Sequence, residues 1–118
     1  MKFDEALVAH SSWKRRLTDY IDGRGKEPLV PSDIERDDAC ELGQWIRALL
    51  ASAHPSREIV ELARDHSRFH RVAADVVRAC DAGDRNGAHV MLAISSEYAL
   101  LSARMVMHIR GLRQAQAA

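Results

Sequence analysis

Apolar side chains recur every three or four residues along most of the chain, the spacing that places them on one face of an α-helix. The pattern predicts four helices, at residues 3–21, residues 33–52, Pro55 to about Cys80, and Asp84 to about Arg110. No stretch alternates polar and apolar residues as a half-buried strand would. The predicted fold class is therefore all-α, an antiparallel four-helix bundle.

Turn and capping residues mark the predicted helix ends. Gly23 and Gly83 are typical helix stops, and residues 23–31 lack periodicity and are predicted to form a loop. Ser32, followed three residues later by Glu35, matches a capping box at the start of the second helix. Asp84 is suited to cap the fourth helix.

The fourth predicted helix is apolar around more of its circumference than a half-exposed bundle helix needs. Met91, Ile94, Tyr98, Leu101 and Met105 form one stripe, and further apolar residues lie outside it. Such a helix is either almost fully buried or packed against a second copy of the chain. We expect a homodimer that packs through the first or fourth helix.

Composition narrows the class of protein. The 118 residues suit one domain, residues 1–118, with a short Gln/Ala-rich tail at about 112–118. Lys plus Arg and Asp plus Glu are both 17, so no net charge favours nucleic acid or an anionic membrane. Without a hydrophobic leader or membrane-spanning run, and with only two cysteines, we expect a cytoplasmic protein with free thiols.

The candidate chemistry lies in four side chains on apolar helical stripes. His66 and His70 are four residues apart, so their Cβ atoms should lie about 5–6 Å apart on one face. His10 and Cys40 fall on the stripes of the first two predicted helices. Three imidazoles and one thiolate would complete a tetrahedral shell, which predicts one Zn²⁺ per chain as the cofactor.

Other residues are predicted to surround this site. We expect Trp13, Trp45 and Phe69 to pack around it. Gly43 inside a helix predicts that a backbone or bulky ring comes close at that level. Three further acidic residues either hydrogen-bond the second nitrogen of a ligating imidazole or are solvated helix charges: Asp37, Asp38 and Asp65.

Three segments together resemble the chemoreceptor zinc-binding domain family: His10-x-x-Trp13, Cys40-x-Leu42-Gly43-x-Trp45-Ile46 and His66-x-x-Phe69-His70. The resemblance covers about residues 3–110. It implies a bacterial cytoplasmic sensory domain, usually homodimeric, with His10, Cys40, His66 and His70 as zinc ligands. It also implies control of an attached chemotaxis receptor, diguanylate cyclase or other output. The sequence contains neither of these, so we expect a signalling partner or a fused output domain.

Two alternatives remain open from the sequence. His54-x-x-x-Glu58 beside the His66/His70 pair is reminiscent of a hemerythrin-like di-iron bundle that binds oxygen, although Pro55 puts His54 at a helix boundary. A metal-free dimerisation module with packed histidines is the other alternative. We expect no catalytic activity, because Ser67 stands where the H-E-x-x-H proteases have their glutamate.

Overall fold

Helices are the only regular secondary structure in the ranges that the computed structural model describes, residues 3–38, 40–52 and 54–117. In chain order they are α1 (Phe3–Ile21), α2 (Pro31–Ile34), α3 (Glu41–Leu50), α4 (Arg57–Asp81), α5 (Arg85–Met91) and α6 (Glu97–Ala117). The all-α class predicted from the apolar periodicity is confirmed. None of the described helices is both long and apolar enough to cross a membrane.

α4 is the central element and packs against each of the other five helices. The chain enters it through Ser56, whose hydroxyl accepts a hydrogen bond from the Ile59 N–H at 3.3 Å. Its apolar stripe forms the inward face of the helix, where Leu62, Val76 and Val77 are fully buried. The two histidines of the pair lie on the same buried helix.

The prediction of one helix over residues 33–52 is wrong. The chain forms the short helix α2, leaves helical geometry, and starts α3 only at Glu41. Asp37 and Asp38 lie in the break, where aspartate is favoured over a helix interior because its side chain competes for backbone hydrogen bonds. The predicted capping box is also wrong, since Val30 precedes α2 and makes no side-chain cap.

The prediction of one helix from Asp84 to Arg110 is wrong as well. Asp84 does cap a helix, accepting the Gly87 N–H at 2.9 Å, but this helix, α5, ends at Met91. A second start follows at Ser96, whose hydroxyl accepts the Ala99 N–H at 3.2 Å. The helix that begins there, α6, continues to Ala117, beyond the predicted end and through most of the predicted tail; Ala118 lies outside the described residues.

The predicted helix stops at Gly23 and Gly83 are confirmed. Both glycines have positive φ, 73° and 88°, in the left-handed region that side chains with a Cβ disfavour. They turn the chain after α1 and after α4, so that α1 packs against α4, α5 and α6. This packing brings the middle of α1 close to the histidine pair on α4.

Candidate metal centre

Cys40 is the residue that precedes α3. Its backbone is extended, at φ −95° and ψ 158°, and its Sγ accepts the Gly43 N–H at 3.3 Å. The thiol therefore caps α3, where backbone N–H groups and the helix dipole favour negative charge on sulfur. The break between α2 and α3 creates this position, which a continuous helix would not have.

Three donor atoms converge between this cap and α4. The Nε2 atoms of His66 and His70 are 3.0 Å apart. The Sγ of Cys40 lies 3.4 Å from the first and 3.7 Å from the second. Within the described residues, these three side chains form the one group whose donor atoms are close enough to one another, within 4.8 Å, to hold a metal ion.

The backbone fixes the proton on His70. Its Nδ1 lies 2.7 Å from the Ile34 carbonyl oxygen of α2, which can only accept, so Nδ1–H is the donor. In the neutral ring the lone pair must then be on Nε2, facing His66 and Cys40. Two imidazole nitrogens 3.0 Å apart require a proton or a cation between them, and the carbonyl contact is the outer partner that metal-bound histidines usually have.

Burial keeps the imidazoles neutral. It lowers the pKa of His66 to about 4, with a smaller contribution from His70 nearby. Burial also lowers the pKa of His70, although its hydrogen bond to Ile34 partly opposes this. The pKa of the Cys40 thiol is raised by burial and lowered less by backbone N–H groups, so a metal would have to displace its proton.

His10 lies beside this group but outside it. Its side chain is only 5 % exposed, and its ring centroid is 4.9 Å from that of Phe69. Its Nε2 is hydrogen-bonded to the Ser102 hydroxyl at 2.6 Å, whereas its buried Nδ1 has no hydrogen-bond partner. Burial, and to a lesser extent His70, lowers the pKa of His10 to about 4.

The donors suit zinc. One thiol and two imidazoles are typical ligands for this ion, and His10 places a further imidazole with a partnerless nitrogen beside them. His10, Cys40, His66 and His70 also border one cavity of about 280 Å³. The residues present therefore fit the metal that the donor types indicate.

A family model described as the chemoreceptor zinc-binding domain matches residues 10–77, which is more than half of the chain. The chain belongs to this family. No curated protein and no solved structure gave a match. The matched span of the zinc-binding domain begins at His10 and includes Cys40, His66 and His70, whereas α5 and α6 lie beyond it.

Gly43 lies in the first turn of α3, where the zinc-binding domain has no space for a side chain. A Cβ at this position would lie 1.6 Å from the Asp37 carbonyl oxygen and 3.2 Å from Cε1 of His66. The predicted close approach is confirmed, and it involves both a backbone group and a ring. The missing side chain lets α3 pack against the break before it and against His66.

The three aromatic residues that were predicted to pack around the site differ in their contacts. Trp13 meets the His70 ring edge to face at a centroid distance of 6.0 Å and carries the Arg16 guanidinium on its own face. Phe69 is 1 % exposed and contacts the rings of His10 and His70. Trp45 is half-buried and packs against the hydrophobic core.

The three acidic residues have separate surroundings. The backbone carbonyl of Asp37 accepts a long hydrogen bond from the Cys40 thiol, with 3.8 Å between oxygen and sulfur. Asp38 pairs with Arg36 on the surface. Asp65 is 4 % exposed and faces α6, where its Oδ2 lies 3.1 Å from Arg104 Nε and 3.3 Å from His108 Nε2.

The residues of the di-iron alternative have other surroundings. His54 is exposed and precedes α4. Glu58 accepts a hydrogen bond from Nδ1 of His108 at 2.8 Å. Neither side chain is a member of the Cys40, His66 and His70 group.

Chelated, zinc-free protein should lose stability as the pH falls from about 7 to 5.5. The pKa of His10 and His66 is about 4 in the fold but about 6.5 in an unfolded chain, so the unfolded state binds more protons in this interval. Stability should therefore fall by roughly 1 kcal/mol per histidine. Urea unfolding at both pH values measures this.

A variant pair assigns the effect of pH to the site. His10→Gln should reduce the loss of stability between pH 7 and 5.5 by the contribution of one histidine, roughly 1 kcal/mol. His54→Gln, which removes an exposed histidine outside the site, is the matched control. An equal pH dependence in His10→Gln and the wild type would contradict the assignment.

Proposed function

We propose that this chain is a regulatory domain that binds one Zn²⁺ through Cys40, His66, His70 and His10. The observation that carries the proposal is the convergence of one sulfur and two imidazole nitrogens from α3 and α4, at 3.0–3.7 Å from one another. Four protein donors leave no open position for a water nucleophile, which favours a regulatory over a catalytic role.

Cys40 makes the proposed site sensitive to both zinc and oxidants. Its thiol is only half-buried and borders the 280 Å³ cavity, so a small oxidant can reach the sulfur. Oxidation would remove one donor and weaken zinc binding, and low zinc would empty the site in the same way. A reducing cytoplasm would keep the thiol available.

We infer that the output is a signalling protein, either a partner or a fused domain, of the chemotaxis or cyclic-di-GMP type. Support comes from the family description, which names a chemoreceptor, and from the site itself. Cys40 at the α3 cap and the two histidines on α4 would hold the metal between them, and α4 packs against every other helix. A change at the site therefore reaches the whole bundle through its central helix.

Purified protein should contain about one zinc per chain and no iron. Metal analysis by mass spectrometry, after expression in medium with both metals, measures this directly. Two irons per chain with an oxo-bridge absorption would instead support the di-iron bundle. A protein that takes up neither metal would support the metal-free dimerisation module and overturn the proposal.

We also propose a homodimer that packs through α6. Leu100 and Met107, at helical spacing, are 58 % and 70 % exposed on the outside of this helix. Ala103 lies between them and is also exposed, so the outer face of α6 presents a continuous apolar strip. Such a face is typical of a contact with a second helix.

Replacing both Leu100 and Met107 by Glu should convert the dimer to a monomer, because two carboxylates would be desolvated in the interface. Light scattering after size exclusion measures the mass. Val90→Glu is the matched control, since Val90 is also 70 % exposed but lies on α5. A wild type that is monomeric at high concentration would refute the dimer and leave the metal site unaffected.

A further inference from the structure

Ser102 on α6 touches the proposed donor set. The Ser102 hydroxyl lies 2.6 Å from Nε2 of His10, a contact between residues 92 positions apart. Ser102 lies outside residues 10–77, so the family match assigns it no role. The bond is short and partly buried, and it holds the α1 imidazole against α6.

The direction of this hydrogen bond decides what the other nitrogen can do. If Ser102 donates, the proton of the neutral ring lies on Nδ1, which would then be a buried N–H without an acceptor. If Nε2–H donates to the Ser102 oxygen, Nδ1 has the lone pair. Only the second arrangement lets a cation satisfy Nδ1, because a protonated nitrogen cannot bind metal.

We propose that Ser102 is a positioning residue of the metal centre. Its oxygen accepts the Nε2–H of His10 and so holds the imidazole in the tautomer whose Nδ1 can bind zinc beside Cys40, His66 and His70. This inference rests on the proposed function. It matches the arrangement at His70, where the Ile34 carbonyl accepts one ring N–H and leaves the other nitrogen for the metal.

The consequence is that α6 belongs to the metal centre. The other groups of the site come from α1, α2, the cap of α3 and α4, whereas Ser102 links the site to the helix with the exposed apolar strip. A purely structural bond between α1 and α6 would have the same distance but would not affect metal affinity. The two roles therefore differ in a measurable way.

Zinc affinity, measured by competition with a chromophoric chelator, tests the role. Ser102→Ala should weaken binding by about 10- to 100-fold, the usual effect of losing an outer partner of a metal-bound histidine. Ser102→Thr, which keeps a hydroxyl, should restore most of the affinity. Ser11→Ala is the matched control, because the Ser11 hydroxyl donates to the Val8 carbonyl at 3.0 Å and not to His10. This variant should bind zinc as tightly as the wild type does.

Nitrogen NMR of the histidine rings in the wild type gives a second readout that does not depend on how the Ser102 variants fold. Without zinc, we expect His10 to be protonated on Nε2, with its resonances assigned by comparison with His10→Gln. Zinc should shift its Nδ1 resonance far more than its Nε2 resonance. Zinc binding with an unshifted His10, metal on Nε2, or unchanged affinity in Ser102→Ala would overturn the role of Ser102 alone. A wild type that binds no zinc would overturn the proposed function as well.

Discussion

Cys40→Ala should lower zinc affinity by more than about 100-fold, because losing a ligand costs more than the 10- to 100-fold loss typical of an outer partner. The variant keeps His66 and His70 but loses the sulfur that lies 3.4 and 3.7 Å from their Nε2 atoms. It should also lose most of the stabilisation by zinc, about 4 kcal/mol for the wild type at free zinc 1,000 times the Kd. Competition titration and thermal unfolding with and without zinc measure the two effects.

Cys80→Ala is the matched control for this prediction. Cys80 is the other cysteine, is also free and half-buried, and packs against the core near the end of α4. Its replacement should leave zinc affinity at the wild-type value, even if the loss of packing lowers the melting temperature. If both variants bind zinc as the wild type does, the thiol is not a ligand and the proposed donor set is wrong.

The sequence predicts the α4 part of this site well because periodicity and burial agree there. His66 and His70 are four residues apart in a continuous apolar stripe, so any helix through this segment places both rings on one face. The structure adds the distance of 3.0 Å between their nitrogens. The close approach at Gly43 was also predictable, since a glycine inside a predicted helix is unfavourable by about 1 kcal/mol relative to alanine unless a neighbour needs the space.

The Cys40 side of the site could not be placed from the pattern. Periodicity predicted that Cys40 lies within a helix, because apolar residues on both sides of the break happen to keep helical spacing. The decisive signals were local: two adjacent aspartates, Asp37 and Asp38, followed by a residue able to cap α3. A thiol in the capping position is rarely anticipated, because Ser, Thr, Asp and Asn are the usual caps.

The hydrogen-bond partners of the imidazoles could not be predicted from the sequence for a different reason. The Ile34 carbonyl and the Ser102 hydroxyl lie 36 and 92 residues from the histidines they contact. A backbone carbonyl has no signature in the sequence, and one serine among several in α6 and the turn before it is not distinctive. Such contacts follow from tertiary packing, which local patterns do not specify.

Gly43→Ala should destabilise the protein by at least about 3 kcal/mol, the upper range for overpacking a well-filled site. An added Cβ would lie 1.6 Å from the Asp37 carbonyl oxygen, so the backbone before α3 must move. The same movement would displace the Cys40 cap, whose sulfur accepts the Gly43 N–H, and should therefore weaken zinc binding too. Urea unfolding with and without zinc measures both consequences.

Gly111→Ala separates this clash from the general effect of replacing a helical glycine. At Gly111 in α6 the added Cβ would meet only the flexible end of Glu58, at 3.5 Å, an ordinary contact distance. This variant should gain up to about 1 kcal/mol, since alanine is the better helix former. Opposite signs at the two positions would attribute the loss at Gly43 to the close approach of Asp37 and His66. A Gly43→Ala protein as stable as the wild type would show that α3 can shift without cost, so its packing would not hold Cys40 in place.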